Sequence, residues 1–303
     1  MTVLVDPPLW PAHDRLWSHL VSDVSLHELR TFARAADLPD RAFDVDHYDV
    51  PAERIADLVA AGAVPVDGGE LSRRLAASGL RVPGHERSRA KRPTLRQRWA
   101  GLWSDGALGA EQVAAVGEDL IDRWAEPHRV YHSRLHLADT LDALEKLSPA
   151  AGTDGTARVA ALALWFHDAV HDGVAGDDEE RSAALARELL PAGPQAAEVA
   201  RLVLLTAGHD PDPDDVTGCL VSDADLAILG GTPARYARYV AQVRAEYSHV
   251  GDDDFRAGRA AVLAQLLALH AGPGLYRTPA ARERWADAAE RNLRRELASL
   301  TGR

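Results

Sequence analysis

Side chains that can bind a metal ion recur in order along the second part of the chain. His132 and His136 are four residues apart, which places them on one face if the segment is helical. The adjacent pair His167-Asp168 follows, and the segment 222–228 adds further aspartates. Two imidazoles with two carboxylates suit Zn, Mn, Fe or Mg and do not suit soft metals. Each piece alone is more typical of a packed histidine or a helix cap than of a metal ligand, whereas their order on a helical background favours a metal site.

The composition limits what such a site can be. Cys219 is the only cysteine, so a thiolate zinc site and an intrachain disulfide are excluded. The net charge of −12, from 46 acidic and 34 basic residues, argues against a broad nucleic-acid-binding face. No run approaches the roughly 20 apolar residues of a membrane span, and residues 1–6 do not resemble a signal peptide. We therefore expect a cytoplasmic protein of about two domains.

The elements predicted from sequence divide the chain into three parts. Over 1–82, strand-like runs at 2–6 and 63–66 alternate with helices predicted at 25–37, 52–61 and 70–78, which indicates a small α/β domain. Residues 83–98 are basic and contain prolines, which favours a solvated linker over a nucleic-acid contact. The remainder, 99–303, is predicted to be all helical, so the fold class is a multidomain α+β protein. The predicted helices there span 109–125, 131–147, 156–170, 178–190, 195–208, 221–230, 233–247, 253–270 and 279–300.

The ordered histidines and aspartates resemble a known signature. His136, His167-Asp168 and Asp225 look like the H…HD…D pattern of the HD-domain metal-dependent phosphohydrolases, over about 97–300. Residues 131–136 (YHSRLH) are similar to the YHNxxH motif of cyclic nucleotide phosphodiesterases, and 167–173 (HDAVHDG) to their HDxxHxG. Within the superfamily, the chain most resembles a bacterial group of predicted metal-dependent HD phosphohydrolases. Ser133 replaces the phosphodiesterase Asn, so a cyclic nucleotide substrate is not implied.

The resemblance implies roles for individual residues. His136, His167, Asp168 and Asp225 would bind a divalent ion (Mn, Mg, Fe, Co or Zn), and His132 would be the general acid. Asp225 is preferred to Asp223 as the metal ligand because Ala224-Asp225-Leu226 matches the family pattern. Asp223 would then cap a helix or accept a hydrogen bond beside the site.

Further polar residues near the signature have open roles. His171 and His209 would hold a second metal ion or contact phosphate, and both alternatives remain. Glu179 and Glu180 fit the acidic first turn of a helix better than a water-orienting role. Arg129 and Arg134 are candidate phosphate contacts, although arginine is abundant in this chain.

The implied activity is hydrolysis of a nucleotide or another small phosphate ester through a metal-activated water. The alternative is a non-catalytic HD sensor that binds a nucleotide and is coupled to the N-terminal module. The expected partner is a small, nucleotide-like phosphorylated molecule. A membrane or nucleic-acid partner is not expected, and the oligomeric state is left open.

The N-terminal domain has a second resemblance. Residues 3–6, 17–23 and 47–49 carry a likeness to the bacterial domain of unknown function DUF4031 over about 1–82. These segments are dense in His, Asp and Trp. A second active site and a ligand-binding or regulatory module both fit this composition.

Overall fold

The computed structural model describes residues 2–104, 106–148, 155–174 and 176–302. It divides into two compact units. The first comprises Met1–Ser88 with Val240–Glu246, and the second comprises Arg89–Tyr239 with Tyr247–Arg303. The structure is α+β, because the sheet lies in the first unit and the second unit is helical in its described residues.

A mixed six-stranded sheet forms the centre of the first unit. Its strands are β1 (Val3–Val5), β2 (Trp10–Ala12), β3 (Arg15–Ser22), β4 (Phe43–Asp44), β5 (His47–Pro51) and β6 (Val64–Pro65). The order is β4-β5-β3-β1-β6, and β2 pairs with β3. β1 and β6 are parallel, whereas the other pairs are antiparallel. The two runs predicted as strands are therefore confirmed, but four strands were not predicted.

Three helices accompany this sheet: α1 (Leu26–Ala35), α2 (Ile55–Ala60) and α3 (Gly68–Ala77). Ser25 caps α1 by accepting a hydrogen bond from the backbone N–H of Glu28 at 3.1 Å. The backbone N–H of Ser25 donates to Ser22 Oγ at 3.1 Å, and the Glu28 carboxylate accepts hydrogen bonds from Thr2 N and Ser22 Oγ. The cap thus fixes where α1 begins, while Glu28 ties the helix to the end of β3.

After residue 108 the helices follow the predicted pattern to within five residues at each end, whereas the helices at 84–89 and 92–101 lie largely in the stretch predicted as a linker. The helices of this second part of the chain are α4 (Gly84–Arg89), α5 (Arg92–Gly101), α6 (Ala110–Arg123), α7 (Arg134–Leu147), α8 (Gly155–Phe166), α9 (Asp177–Leu189), α10 (Pro194–Leu205), α11 (Val216–Asp225), α12 (Pro233–Glu246), α13 (Asp252–Ala271) and α14 (Pro279–Thr301). A 3₁₀ segment, Leu226–Gly230, continues α11.

Aromatic side chains occupy the core of the helical unit. Trp99 from α5 lies against Trp165 and Phe166 from α8, with ring centroids 5.2 and 6.3 Å apart. All three are almost fully buried. The apolar helix α8 is therefore a central element, which explains why its sequence has no polar face.

The basic stretch predicted as a solvated linker is helical and paired. Its arginines bond to carboxylates on α6 and α7 of the helical unit. Arg92 and Arg96 both contact Glu118, and Arg98 contacts Asp142 at 2.6 Å. These ion pairs neutralise much of the charge that suggested a nucleic-acid contact.

Within the described residues, none of the helices combines the length and the apolar character that crossing a bilayer requires.

Candidate functional site

Three helices of the second unit bring the predicted metal ligands together. His136 lies in the first turn of α7, and Asp225 is the last residue of α11. His167 and Asp168 form the turn that follows α8. Because these helix ends converge, residues up to 89 positions apart in sequence share one small region.

The potential ligand atoms of these residues face one another. Nε2 of His136 and Nε2 of His167 are 3.1 Å apart. Asp225 Oδ1 lies 3.0 Å from Nε2 of His136 and 3.5 Å from Nε2 of His167. Asp168 Oδ2 lies 3.1 Å from His167 and 3.7 Å from His136. Ligands held about 2.0–2.2 Å from one ion lie roughly 3–3.5 Å apart, so the arrangement fits a single metal ion.

Neighbouring groups set the orientation of the imidazoles. Nδ1 of His167 lies 2.9 Å from the carbonyl oxygen of Leu164, which leaves Nε2 directed at the other three ligand candidates. We call His136, His167, Asp168 and Asp225 together the cluster. Trp124 packs beside both rings, at 5.3 Å from His167 and 6.1 Å from His136. A backbone acceptor on the far nitrogen is the usual device for orienting a metal-bound histidine. Trp124 and Leu164 carry no sequence signal for this role, because packing alone places them here.

The cluster favours positive charge. Burial lowers the pKa of His136, and nearby Asp225 offsets this only in part. Burial also disfavours the charged form of His167, yet Asp168 and Asp225 raise its pKa well above the ordinary value. Although burial opposes ionisation, His167 holds the pKa of Asp168 far below its usual range. The two carboxylates thus stabilise a cation at this point, whether a proton or a metal ion.

His132 and His171 lie together at the edge of the cluster. Their ring centroids are 4.0 Å apart, and the ring of His132 is 5.6 Å from that of His136. The prediction that helix 131–147 carries both His132 and His136 is wrong, because α7 begins at Arg134 after an extended Ser133. His132 therefore approaches the cluster from a turn and not from a helix face.

Helix α8 also ends earlier than predicted, at Phe166 and not at residue 170. His171 therefore does not lie one helical turn beyond His167, where a longer α8 would have placed it. The backbone N–H of Val170 donates to Ser182 Oγ at 3.0 Å, where a continuing helix would direct it to Phe166 O. The guanidinium of Arg129 binds the carbonyls just beyond the helix end, at Asp168 O (2.6 Å) and Ala169 O (3.1 Å).

Arg129 thus has a structural position and not the exposed one of a phosphate contact. Its side chain is fully buried, and it also contacts the carbonyl of His132 at 3.3 Å. One guanidinium therefore links the turn that carries His132 to the turn that carries Asp168. Buried arginine with carbonyl partners gives fixed geometry, because its donors form a rigid fork.

The loop beyond His171 is fixed by an acidic side chain of α9. Asp178 is buried and accepts hydrogen bonds from the backbone N–H groups of Asp172, Gly173 and Val174, at 3.0, 2.8 and 2.9 Å. Asp178 therefore shapes the loop.

Glu179, the residue after Asp178, accepts a hydrogen bond from Gly176 N at 2.6 Å and belongs to the cap of α9.

His209 reaches the other oxygen of Asp225. Its Nε2 lies 3.5 Å from Asp225 Oδ2, and its Nδ1 lies 3.2 Å from Ser222 Oγ. Its backbone has φ of 51°, which is uncommon for a residue other than glycine. His209 is thus next to the cluster, on the side of Asp225 away from His136 and His167.

The two aspartates of α11 have different surroundings. Asp223 is fully buried and accepts hydrogen bonds from Arg277 N and Thr278 N, both at 2.7 Å. These groups precede α14, so Asp223 anchors the start of that helix. Asp225 points into the cluster of histidines.

A second group of potential ligands lies in the first unit. His19 on β3 and His47 and Asp49 on β5 place potential ligand atoms within 4.8 Å of one another. Buried Asp6 contacts the ring of His19, and buried Asp46 contacts the ring of His47. The sequence indicated that this domain is rich in such residues but not that these three converge.

Residues 3–78, which contain this second group, match a family model. The family is described as a protein of unknown function, DUF4031. The match confirms the resemblance predicted for the N-terminal part. No match was found among curated proteins or among solved structures. The matched DUF4031 region contains the three converging side chains, and its description assigns no activity to them.

Proposed function

We propose that the helical unit is an HD-type metal-dependent phosphohydrolase that acts on a nucleotide or another small phosphate ester. The main support is the convergence of His136, His167, Asp168 and Asp225. Each imidazole Nε2 lies 3.0 to 3.7 Å from the other Nε2 and from one oxygen of each carboxylate. Their order in the sequence is that of the HD signature.

The donor set fits a hard or borderline divalent ion such as Mn, Mg, Fe, Co or Zn. When bound, such an ion offsets the charge of a phosphate ester and lowers the pKa of a water molecule from about 15.7 towards ~7. The imidazoles of His136 and His167 are buried, whereas Asp168 and Asp225 are 17% and 13% exposed. A phosphate ester would therefore approach from the carboxylate side.

His132 is the proton donor in this proposal. Hydrolysis leaves an alkoxide oxygen that requires a proton, and a positioned imidazole can supply it. The ring of His132 lies near the cluster, but His132 is not one of the four residues whose ligand atoms face one another. Beside the larger effect of His167, the charge of His132 contributes to the lowered pKa of Asp168. Arg129 holds the backbone of His132, which keeps the donor at a fixed place.

A substrate panel tests the proposal. Purified full-length protein is supplied with Mn, Mg, Fe, Co or Zn and assayed on phosphomonoesters, phosphodiesters and nucleotides. We expect metal-dependent release of phosphate or nucleotide from at least one class, abolished in His167→Ala. Binding of nucleotides to the metal-loaded protein without turnover of any of them would overturn the proposal in favour of a sensor.

A further inference from the structure

The strands of the first unit place three ligand-type side chains on one face of the sheet. His19 on β3 is the direct antiparallel partner of Asp49 on β5. His47 lies two residues before Asp49, and side chains two apart on a strand point to the same face. Register and strand period together thus bring His19, His47 and Asp49 side by side.

A buried carboxylate holds each imidazole by its Nδ1 atom. Nδ1 of His19 lies 2.9 Å from Asp6 Oδ2, and Nδ1 of His47 lies 2.6 Å from Asp46 Oδ1. With Nδ1 occupied, Nε2 is the atom that remains for a ligand. Nε2 of His47 lies 3.3 Å from Asp49 Oδ1, and the two imidazole centroids are 5.1 Å apart.

The anchoring carboxylates are themselves fixed. Asp6 also accepts a hydrogen bond from the backbone N–H of His19 at 2.6 Å, and Asp46 accepts one from Val82 N at 2.7 Å. Asp6 and Asp46 are 5% and 0% exposed. A histidine ring held by a carboxylate on the nitrogen opposite the metal is the usual support of a protein metal site.

We propose that His19, His47 and Asp49 bind a divalent transition-metal ion in the DUF4031 region. Two imidazoles and one carboxylate are borderline ligands suited to Zn, Fe, Co, Ni or Mn. Three protein ligands leave coordination positions for water or a small molecule, as in catalytic rather than structural zinc sites. This site is independent of the one proposed in the helical unit.

The charges around the three ligands suit a cation. Asp49 faces the two imidazoles, and Asp6 and Asp46 lie directly behind the rings. Arg87 lies on the far side of His47, where its Nη1 is 3.6 Å from Asp46 Oδ1 and 3.2 Å from His47 Nδ1. A divalent ion at the Nε2 side would balance the remaining negative charge.

A cavity lies beside the ligand group and reaches Asp49. It has a volume of about 580 Å³, and its wall includes Asp49, Trp10, Trp17 and Arg54. The ring of Trp10 lies 5.5 Å from the ring of His19. Ligand-binding cavities of this size commonly combine apolar walls with a few polar groups. Among the three proposed ligands, Asp49 is the one that lines this aromatic-walled cavity.

Cobalt binding to the full-length chain tests the proposal. The background variant His167→Ala/Asp168→Ala removes the ligands of the helical unit. Equilibrium dialysis with Co²⁺ should find about one ion per background chain, with d–d absorption that indicates nitrogen ligands. Adding His19→Ala or Asp49→Asn should weaken this binding at least tenfold. His27→Ala, at an exposed position on α1, is the matched control and should leave the binding unchanged.

A second measurement does not depend on the folding of variants. In wild-type protein, the Nε2 ¹⁵N resonances of His19 and His47 should shift together on addition of Zn²⁺. Absence of cobalt from the background variant, equal binding after His19→Ala and Asp49→Asn, or unshifted resonances of both rings would overturn the proposal. Failure of phosphate-ester hydrolysis would leave it standing, because that reaction belongs to the other unit.

Discussion

Asp223 and Asp225 are two residues apart on α11 and direct their carboxylates to different parts of the fold. Asp223 accepts hydrogen bonds from two backbone N–H groups before α14, whereas Asp225 lies 3.0 Å from Nε2 of His136. Residues two apart on a helix point roughly 200° apart. One turn of helix therefore places a structural anchor and a candidate metal ligand on opposite sides.

This difference predicts opposite effects of matched substitutions. Asp225→Ala should lose the metal ion of the helical unit, a drop of about one ion per chain, with little loss of stability. Asp223→Ala should keep the metal but lower the free energy of unfolding by about 1–3 kcal/mol, because two buried N–H groups lose their acceptor. Elemental analysis and urea unfolding measure the two effects. Loss of metal from Asp223→Ala but not from Asp225→Ala would show that Asp223 is the metal ligand and Asp225 is not.

His132→Ala tests the proton donor. The variant should retain its metal but lose roughly 10²–10⁴-fold in turnover of an alkyl phosphate such as a nucleotide. With p-nitrophenyl phosphate the loss should be much smaller, because the phenolate leaves without protonation. His270→Ala, whose ring lies near Glu290 on α14, serves as the control. Equal losses on both substrates would indicate a binding role, and loss of the metal would make His132 a ligand.

The ion pairs of α5 predict a pH effect on stability. Hydrogen bonds from Arg96 and then Arg92 lower the pKa of Glu118 from 4.5 to about 2. A folded-state pKa below the unfolded value gives stability that is present above about pH 4.5 and lost as the pH falls towards 2. Glu118→Gln should therefore reduce stability at pH 7 by about 0.2–1 kcal/mol. The difference should shrink at pH 2 and in 1 M salt.

Thermal unfolding of wild type and Glu118→Gln at both pH values measures this effect. A difference that is the same at pH 7 and pH 2 would contradict an electrostatic origin.

The same proteins can be mixed with duplex DNA at low salt. We expect no binding, since the arginines of α5 are already paired with carboxylates of the same unit.

Much of the helical part could be predicted from the sequence. Apolar periodicity located α6, α9, α10 and α14 to within a few residues, because each buries one face against the core. The ends near the cluster could not be located in this way. The backbone N–H of Val170 donates to Ser182 Oγ on α9 where α8 would otherwise continue, which is a tertiary contact without a local signal.

The sheet was harder to predict than the helices. β3 (Arg15–Ser22) begins with exposed residues, and β5 (His47–Pro51) contains charged residues and ends in proline, so neither has a clear alternating pattern. Their pairing places His19 opposite Asp49. Sequence composition indicated that ligand-type residues are frequent in this region, but only the strand register determines which of them meet.

Metal-dependent turnover is the decisive test of the proposed phosphohydrolase activity. Full-length protein is stripped with a chelator, and the initial rate of phosphate-ester hydrolysis is measured as Mn²⁺ is added back, for wild type and for Asp168→Ala. We expect the wild-type rate to rise from background and saturate, while the Asp168→Ala rate stays at background. Hydrolysis that survives chelation, or an Asp168→Ala variant as active as wild type, would contradict the proposal.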